Sequence, residues 1–488
     1  MSRAHRWLWL APPLLLLTLL WPVLAGRYFS DDWQFVLADP AADVFGSFGR
    51  LHPYRLYRPL ELSVSALCQT LLPGTTTPVH VVTLAIHLGL IALLAHALTS
   101  LRASRLVIGI TVLVLSVSQL NAPAIGGNDT LSIVLGTLFG SLAVWWFRPS
   151  AHRGGGRRTA FGLAALTLAL LSKESSIGYV PLLLVLAIRP LAPAPGWPAS
   201  DRAPSAAGSA PRGSTWRDVA RAVAVVGLAL VYVAWRDHLG ADRPNFGPEG
   251  GWRIGANIPV NLLMIWTASL VPVSTVDVAT GLMLGRWIWP VAAALGLGAV
   301  IVMVGIGLGP ARWGRALLYL ATASLVVTPV LLVWHVSELY AYVLLPAAAL
   351  LLGYGYGSAL LDRRRTVRTA AAVSLALFGL GQAAATHLKA RQMADNGERA
   401  AAQMARLVDE ARALPPGGRL VIAFPEPPRP QYSVFAMDGL RLTPAGEVKR
   451  LSGRRDIHVV AETAIDRYSM APYSVARPPA SAAGGSPD

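Results

Sequence analysis

Residues 160–188 read AFGLAALTLALLSKESSIGYVPLLLVLAI, two apolar arms around Ser172-Lys173-Glu174-Ser175, and the layout of the whole chain turns on them. As one straight helix these 29 residues would run about 44 Å, well beyond the roughly 30 Å hydrocarbon core of a bilayer. Arg157 and Arg158 precede the stretch and Arg189 follows it, and basic residues mark the cytoplasmic side of membrane segments. Both ends therefore belong on that side, which a hairpin satisfies and a single crossing does not. Each arm is shorter than the roughly 20 residues of a full span. The Lys173-Glu174 turn is thus expected below the outer surface, where irregular backbone is tolerated only if it lines a wet cavity or is buried in protein.

Composition agrees with a membrane fold: 54% of the chain is hydrophobic, 14% is charged, and the mean hydropathy is +0.49. The net charge of +16 does not imply nucleic acid. Its arginines cluster between apolar runs, as at Arg102 and Arg105, Arg157 and Arg158, and Arg363 to Arg365, which is the positive-inside pattern. Cys68 is the sole cysteine, so neither an intrachain disulfide nor a cysteine metal cluster can form.

Outward from the hairpin, the chain reads as an all-α polytopic membrane protein with about 11 transmembrane helices. Residues 7–25 form a first span with a cytoplasmic N-terminus, although Val23-Leu24-Ala25 also suits a signal-peptidase site. Residues 26–77 make a long first external loop, with an amphipathic helix over 60–72 lying along the interface. Spans follow at 78–101, 106–120 and 131–147; after the hairpin come a cytoplasmic linker at 190–215 and a span at 219–238. Residues 239–285 stay outside, with an interfacial or re-entrant segment at 258–273. Spans at 287–308, 317–334, 339–357 and 367–385 complete a transmembrane domain, residues 1–386, and leave the C-terminus outside. Beyond His387 the hydropathy collapses, and 387–477 reads as a small extracytoplasmic α/β appendage: a helix at 390–414 and strands near 420–424, 433–437 and 457–460. The last residues, 478–488, form a disordered tail.

Asp31 and Asp32, in Tyr28-Phe29-Ser30-Asp31-Asp32-Trp33, are the first candidates for chemistry. Neighbouring carboxylates repel and cost desolvation energy near a membrane, so they persist where the charge is used, although Ser30 could also cap a helix whose first turn favours both acids. Arg58, in Tyr57-Arg58-Pro59-Leu60-Glu61, offers a guanidinium fork to a phosphate or to lipid headgroups. His80 and His87 lie seven apart on one helical face, and Asp129 opens a span as an N-cap candidate. No Walker-type phosphate loop is present.

In order along the chain, Asp31-Asp32, Tyr57-Arg58-Pro59-Leu60, His80 and His87, and Leu171-Ser172-Lys173-Glu174 resemble the GT-C superfamily of polyprenyl-phosphate-sugar-dependent glycosyltransferases. The likeness covers roughly residues 1–360 and is nearest to bacterial relatives of the transmembrane and tetratricopeptide-repeat O-mannosyltransferases, in the class that includes protein O-mannosyltransferases. Thr83 stands where an Asn is usual, Gly126-Gly127-Asn128-Asp129 lacks the Arg of a Gly-Arg-x-Asp pattern, and Glu338-Leu339-Tyr340 stands for Glu-Arg-Tyr. The resemblance implies transfer of a sugar from a polyprenyl-phosphate donor to a hydroxyl of a protein, glycan or lipid acceptor, on the extracytoplasmic face of the plasma membrane. It implies Asp31 as general base of an inverting displacement and Asp32 as the residue orienting the substrates. Arg58 and Lys173 would meet the phosphate, Glu174 would hold Lys173 or a sugar hydroxyl, and His80, His87, Asp129 and Glu338 would complete the substrate site. Members of the superfamily differ in their use of a divalent metal, and no decisive ligand set stands out in the sequence. A lipid-linked sugar flippase, or a GT-C-like scaffold without activity, remains an alternative reading.

Overall fold

The computed structural model describes residues 3–28, 32, 36–37, 39–51, 55–148, 155–188, 216–242, 252–333, 338–423 and 445–462. The first half comprises α1 (Arg3–Leu24), α2 (Pro40–Gly46), α3 (Pro59–Leu71), α4 (Thr77–Ser100), α5 (Arg105–Val117), α6 (Asn121–Ile125), α7 (Leu131–Phe147), α8 (Gly155–Ser172), α9 (Tyr179–Ile188) and α10 (Trp216–His238). The second comprises α11 (Asn257–Leu270), α12 (Thr275–Met283), α13 (Ile288–Leu308), α14 (Trp313–Ser324), α15 (Thr328–Leu331), α16 (Glu338–Ala341), α17 (Leu345–Leu360) and α18 (Arg365–Ala413). A small α/β unit of β1 (Arg419–Ala423), α19 (Ala445–Ser452) and β2 (His458–Glu462) closes it. Among the described residues six helices are long and apolar enough to cross a membrane. The fold is a polytopic helical bundle carrying a small appendage.

Helices run alternately up and down, so the turns between them gather at two ends. His96 and Trp145 meet at 5.7 Å between ring centroids, which puts the C-terminal ends of α4 and α7 side by side. Arg221 of α10 donates to Thr159 of α8, placing the N-terminal end of α10 there too. Close packing of Gly307 on Gly355, and of Val107 on Gly357, aligns the C-terminal ends of α13 and α17 with the start of α5. One end of the bundle therefore collects Arg102, Arg105, Arg148, Arg158, Arg312 and Arg363 to Arg365. The opposite end collects the C-terminal ends of α1, α5 and α8 and the N-terminal ends of α4 and α7. α1 packs as a member of the bundle: Leu16, Leu20 and Val23, one helical face, are fully buried, and the helix lies against α5 and α18.

The chain reverses between Ser172 and Tyr179, as a hairpin requires. Lys173 is extended, residues 174–178 form a 3-10 turn, and α8 and α9 both pack on α7. Gly136 of α7 faces Lys173 and Ser176, and Gly140, one turn further along, lies against the Tyr179 ring, so α9 returns alongside α7. This turn meets a second irregular one. The span expected over 317–334 is present as a helical run over Pro310–Leu331, within which a 3-10 turn at Leu325–Val327 separates α14 from α15, because Pro329 cannot donate to the preceding helical turn. The two turns touch at Gly178, where any Cβ would stand 2.0 Å from the Val326 carbonyl oxygen.

One expectation changes, and the strands expected near 420–424 and 457–460 are present as β1 and β2. The hydropathy drop at His387 falls inside α18, which continues unbroken for 49 residues, about 74 Å of helix. In the appendage, β1 and β2 pair in parallel with Leu420 opposite Val459, packed with α19 on the C-terminal turns of α18. Met404, Val408 and Ala411 of α18 are buried there with Val448 and Ile457. The linker at 190–215, the strand expected at 433–437 and the tail at 478–488 lie outside the described residues.

Candidate active site

The end of the bundle opposite the arginine turns holds a charged cluster built from three elements. Pro59 opens α3, since a missing N–H costs nothing in a first helical turn, and this sets Arg58 at the N-cap position. Arg58 donates through Nε and Nη2 to the two carboxylate oxygens of Glu174, both at 2.7 Å. Glu61, three residues along α3, is fully buried with Oε2 3.6 Å from Arg58 Nη1, and its Oε1 accepts from the backbone N–H of Ser132 at 3.1 Å. Glu61 thus neutralises part of the α7 N-terminus while facing the guanidinium. Burial opposes the charge on Arg58, but Glu174 and Glu61 outweigh it and hold its pKa above the ordinary guanidinium value. Burial pushes the Glu61 carboxyl up, with Arg58 and Lys173 pulling the other way.

Lys173 is buried beside this pair and feels the charges of Arg58, Glu174, Glu61 and Asp129. Asp129 reaches it from the loop joining α6 to α7. That loop also holds Asp32, which is 1% exposed and whose Oδ1 accepts from the Asn128 backbone N–H at 2.6 Å. The Asn128 side chain is itself 1% exposed, and among the described residues neither its amide nitrogen nor its oxygen has a hydrogen-bond partner. Asp32, Arg58, Asp129, Lys173 and Glu174, separate in sequence, therefore share one end of the molecule.

The segment leading into Asp31-Asp32 is fastened on two sides. Thr76 donates to the Gly26 carbonyl at 2.5 Å, and Tyr28 donates to the Thr75 carbonyl at 3.3 Å. Arg27 pairs with Glu398 of α18 at 2.9 Å, and Gly397 fits so tightly that a Cβ would lie 2.9 Å from the Arg27 carbonyl oxygen. Burial, then the Asp32 carboxylate, raise the Tyr28 phenol above its usual range, and Glu447 and Arg450 of α19 also bear on it. Asp31 lies outside the described residues.

Three expected site residues go elsewhere. His87 is fully buried, with Nδ1 2.6 Å from the Tyr342 hydroxyl and Nε2 3.2 Å from the Leu115 carbonyl. A carbonyl can only accept, so Nε2 donates and Nδ1 accepts from Tyr342, leaving no ring nitrogen for a ligand. His80 is fully buried against the Val23 and Leu24 carbonyls at the end of α1, and among the described residues neither ring nitrogen makes a well-formed hydrogen bond. Glu338 is bound into a second network: Oε1 accepts from Thr275 N at 2.5 Å, and Oε2 pairs with Lys389 Nζ at 2.6 Å. Among the described residues no group of three or more His, Cys, Asp or Glu side chains is placed to hold a metal ion.

Sequence reasoning passed over Glu61 and Lys389. Glu61 stood inside the Tyr57–Glu61 motif, and its spacing of three from Arg58 on one helix face was the available signal. Lys389 carried no local signal, because it falls where the chain turns polar.

No family model and no curated protein matches the chain. Among solved structures, the crystal structure of ArnT from Cupriavidus metallidurans bound to undecaprenyl phosphate is similar over 94% of this chain and 90% of that one, with 16% identity and a TM-score of 0.42. Similarity at that level identifies neither a family nor an activity.

Proposed function

We propose that the chain is a multi-pass membrane glycosyltransferase that moves a sugar from a polyprenyl-phosphate donor to an acceptor hydroxyl at the extracytoplasmic end of the bundle. The observation that carries this reading is the meeting of Asp129 with Lys173 and the Arg58–Glu174 pair, with Asp32 held by the N–H of the neighbouring Asn128, at the end away from the arginine turns. Under the positive-inside rule that end faces outward.

In this reading Asp31 takes the proton from the acceptor hydroxyl, and the oxygen attacks the anomeric carbon. The bond from that carbon to the phosphate oxygen breaks, and its electron pair leaves with the polyprenyl phosphate, inverting the sugar. Asp32, held by the Asn128 N–H, orients the donor or acceptor. Lys173 faces the departing phosphate, where a fixed cation stabilises the charge that develops. The fork of Arg58 is taken by Glu174, which gives Arg58 the task of fixing the Lys173-Glu174 turn in place. The acceptor is a protein, glycan or lipid hydroxyl.

The test is to supply the purified protein with polyprenyl-phosphate mannose, glucose or arabinose and a panel of acceptors. Consumption of one donor with a glycosylated product supports the enzyme. Movement of donor across liposomes without transfer supports a flippase and rejects the proposal.

A further inference from the structure

A second buried polar network lies away from the Arg58 cluster, centred on Lys389. Its ammonium donates to Glu338 Oε2 at 2.6 Å and to Gln119 Oε1 at 2.9 Å. The Gln119 side chain donates in turn to the carbonyls of Ala268, Val271 and Val273, and its backbone N–H donates to Gln382 Oε1 at 2.7 Å. Thr386 donates to the Val117 carbonyl at 2.8 Å. Gln382, Thr386 and Lys389 occupy one face of α18, spaced four and three apart, and each is buried. The network ties α18 to the turn after α5, to the loop before α12 and to α16.

The same face of α18 continues into Met393 and Gly397. Met393 packs on Gly126, at the start of the loop whose Asn128 holds Asp32. Gly397 packs on the Arg27 backbone, just before the acidic pair. Apolar contacts between helices fix no single register, whereas a buried ion pair with its hydrogen bonds loses heavily on any slip. One turn of displacement would move Met393 and Gly397 by about 5.4 Å, off both supports of Asp32.

We infer that Lys389 and Glu338 are positioning residues: they pin the register of α18, and through Met393 and Gly397 they hold the two segments that support Asp32. For its catalytic consequence the inference rests on the proposed glycosyltransferase reading. Its structural consequence does not.

The experiment uses the full-length protein with Cys68→Ser, and with Arg27→Cys and Glu398→Cys as a cross-linking pair. Into this goes Lys389→Met with Glu338→Gln, which leaves no charge orphaned, so the variant folds and keeps its thermal midpoint within a few degrees. Oxidative cross-linking between positions 27 and 398 is expected to fall several-fold. In the background without the added cysteines, kcat is expected to fall on the order of 10²-fold with the donor KM nearly unchanged, since a misplacement of about 1 Å costs that much. Undiminished cross-linking in the folded double variant overturns the inference, as does unchanged kcat in a protein shown to transfer sugar. If the unaltered protein transfers no sugar, the functional proposal fails, and cross-linking alone still decides the register.

Discussion

Arg58 shows how tightly one side chain can be committed. Both arms of its fork meet Glu174, and its third nitrogen faces Glu61, so the buried guanidinium, the fully buried Glu61 and the partly exposed Glu174 form one unit across α3 and the 174–178 turn. Removing a single member leaves an uncompensated buried charge. Arg58→Ala is therefore expected to cost about 3–5 kcal/mol, read as a lowered thermal or denaturant midpoint. Arg58→Lys, which keeps the charge and loses the fork, should fall between wild type and alanine. Asn128 is the opposite case, a buried amide with no hydrogen-bond partner among the described residues. An unmet amide costs roughly 1–3 kcal/mol, so Asn128→Leu should leave the ligand-free protein as stable or more so while lowering kcat/KM for the donor. A stability loss without a change in kcat/KM would show that the amide serves the fold alone. The motif around Arg58 was legible in the sequence. Its partner 116 residues away was not, because tertiary packing sets that pairing. Glu338 illustrates the same limit: its acid was legible, but the Lys389 that claims it was not.

At the scale of elements, the two irregular turns at 174–178 and 325–327 explain why the Lys173 turn can sit deep in the bundle. Each covers backbone that the other would leave bare, and the contact requires a residue without a Cβ at 178. Gly178→Ala should force the turns apart at a cost of about 1–3 kcal/mol, visible as a lowered thermal midpoint, and should reduce turnover with it. The reversal at Ser172 to Ser175 was legible because its flanking arginines constrained it. The length of α18 was not. Residues 386–413 are rich in Ala and Arg and contain no proline, so they continue the helix although they are too polar to continue the span. The helix stops only before Pro415 and Pro416, where the residue preceding a proline leaves the helical region. A change in hydropathy marks a change of surroundings and need not mark a change of element.

Over the whole molecule, charge is sorted by end. The arginine turns gather at one end, and Asp32, Glu61, Asp129, Glu174 and their cations gather at the other. Long-range placement of this kind was legible from the alternation of basic and apolar segments, since each span inverts the side of the next. It predicts opposite labelling of two engineered thiols in a Cys68→Ser background. A cysteine at exposed Glu398 should react with an impermeant maleimide on intact cells, and one at exposed Arg363 only after permeabilisation. The reverse pattern would put the candidate site in the cytoplasm, away from its expected acceptors.

The central claim is that this end of the bundle performs transfer with a carboxylate as base, and turnover of Asp31→Asn tests it most directly. With the donor that the wild-type protein consumes, the variant is expected to keep its thermal midpoint and to lose at least about 10²-fold in kcat. Turnover within a few-fold of wild type in a folded Asp31→Asn protein would contradict the account.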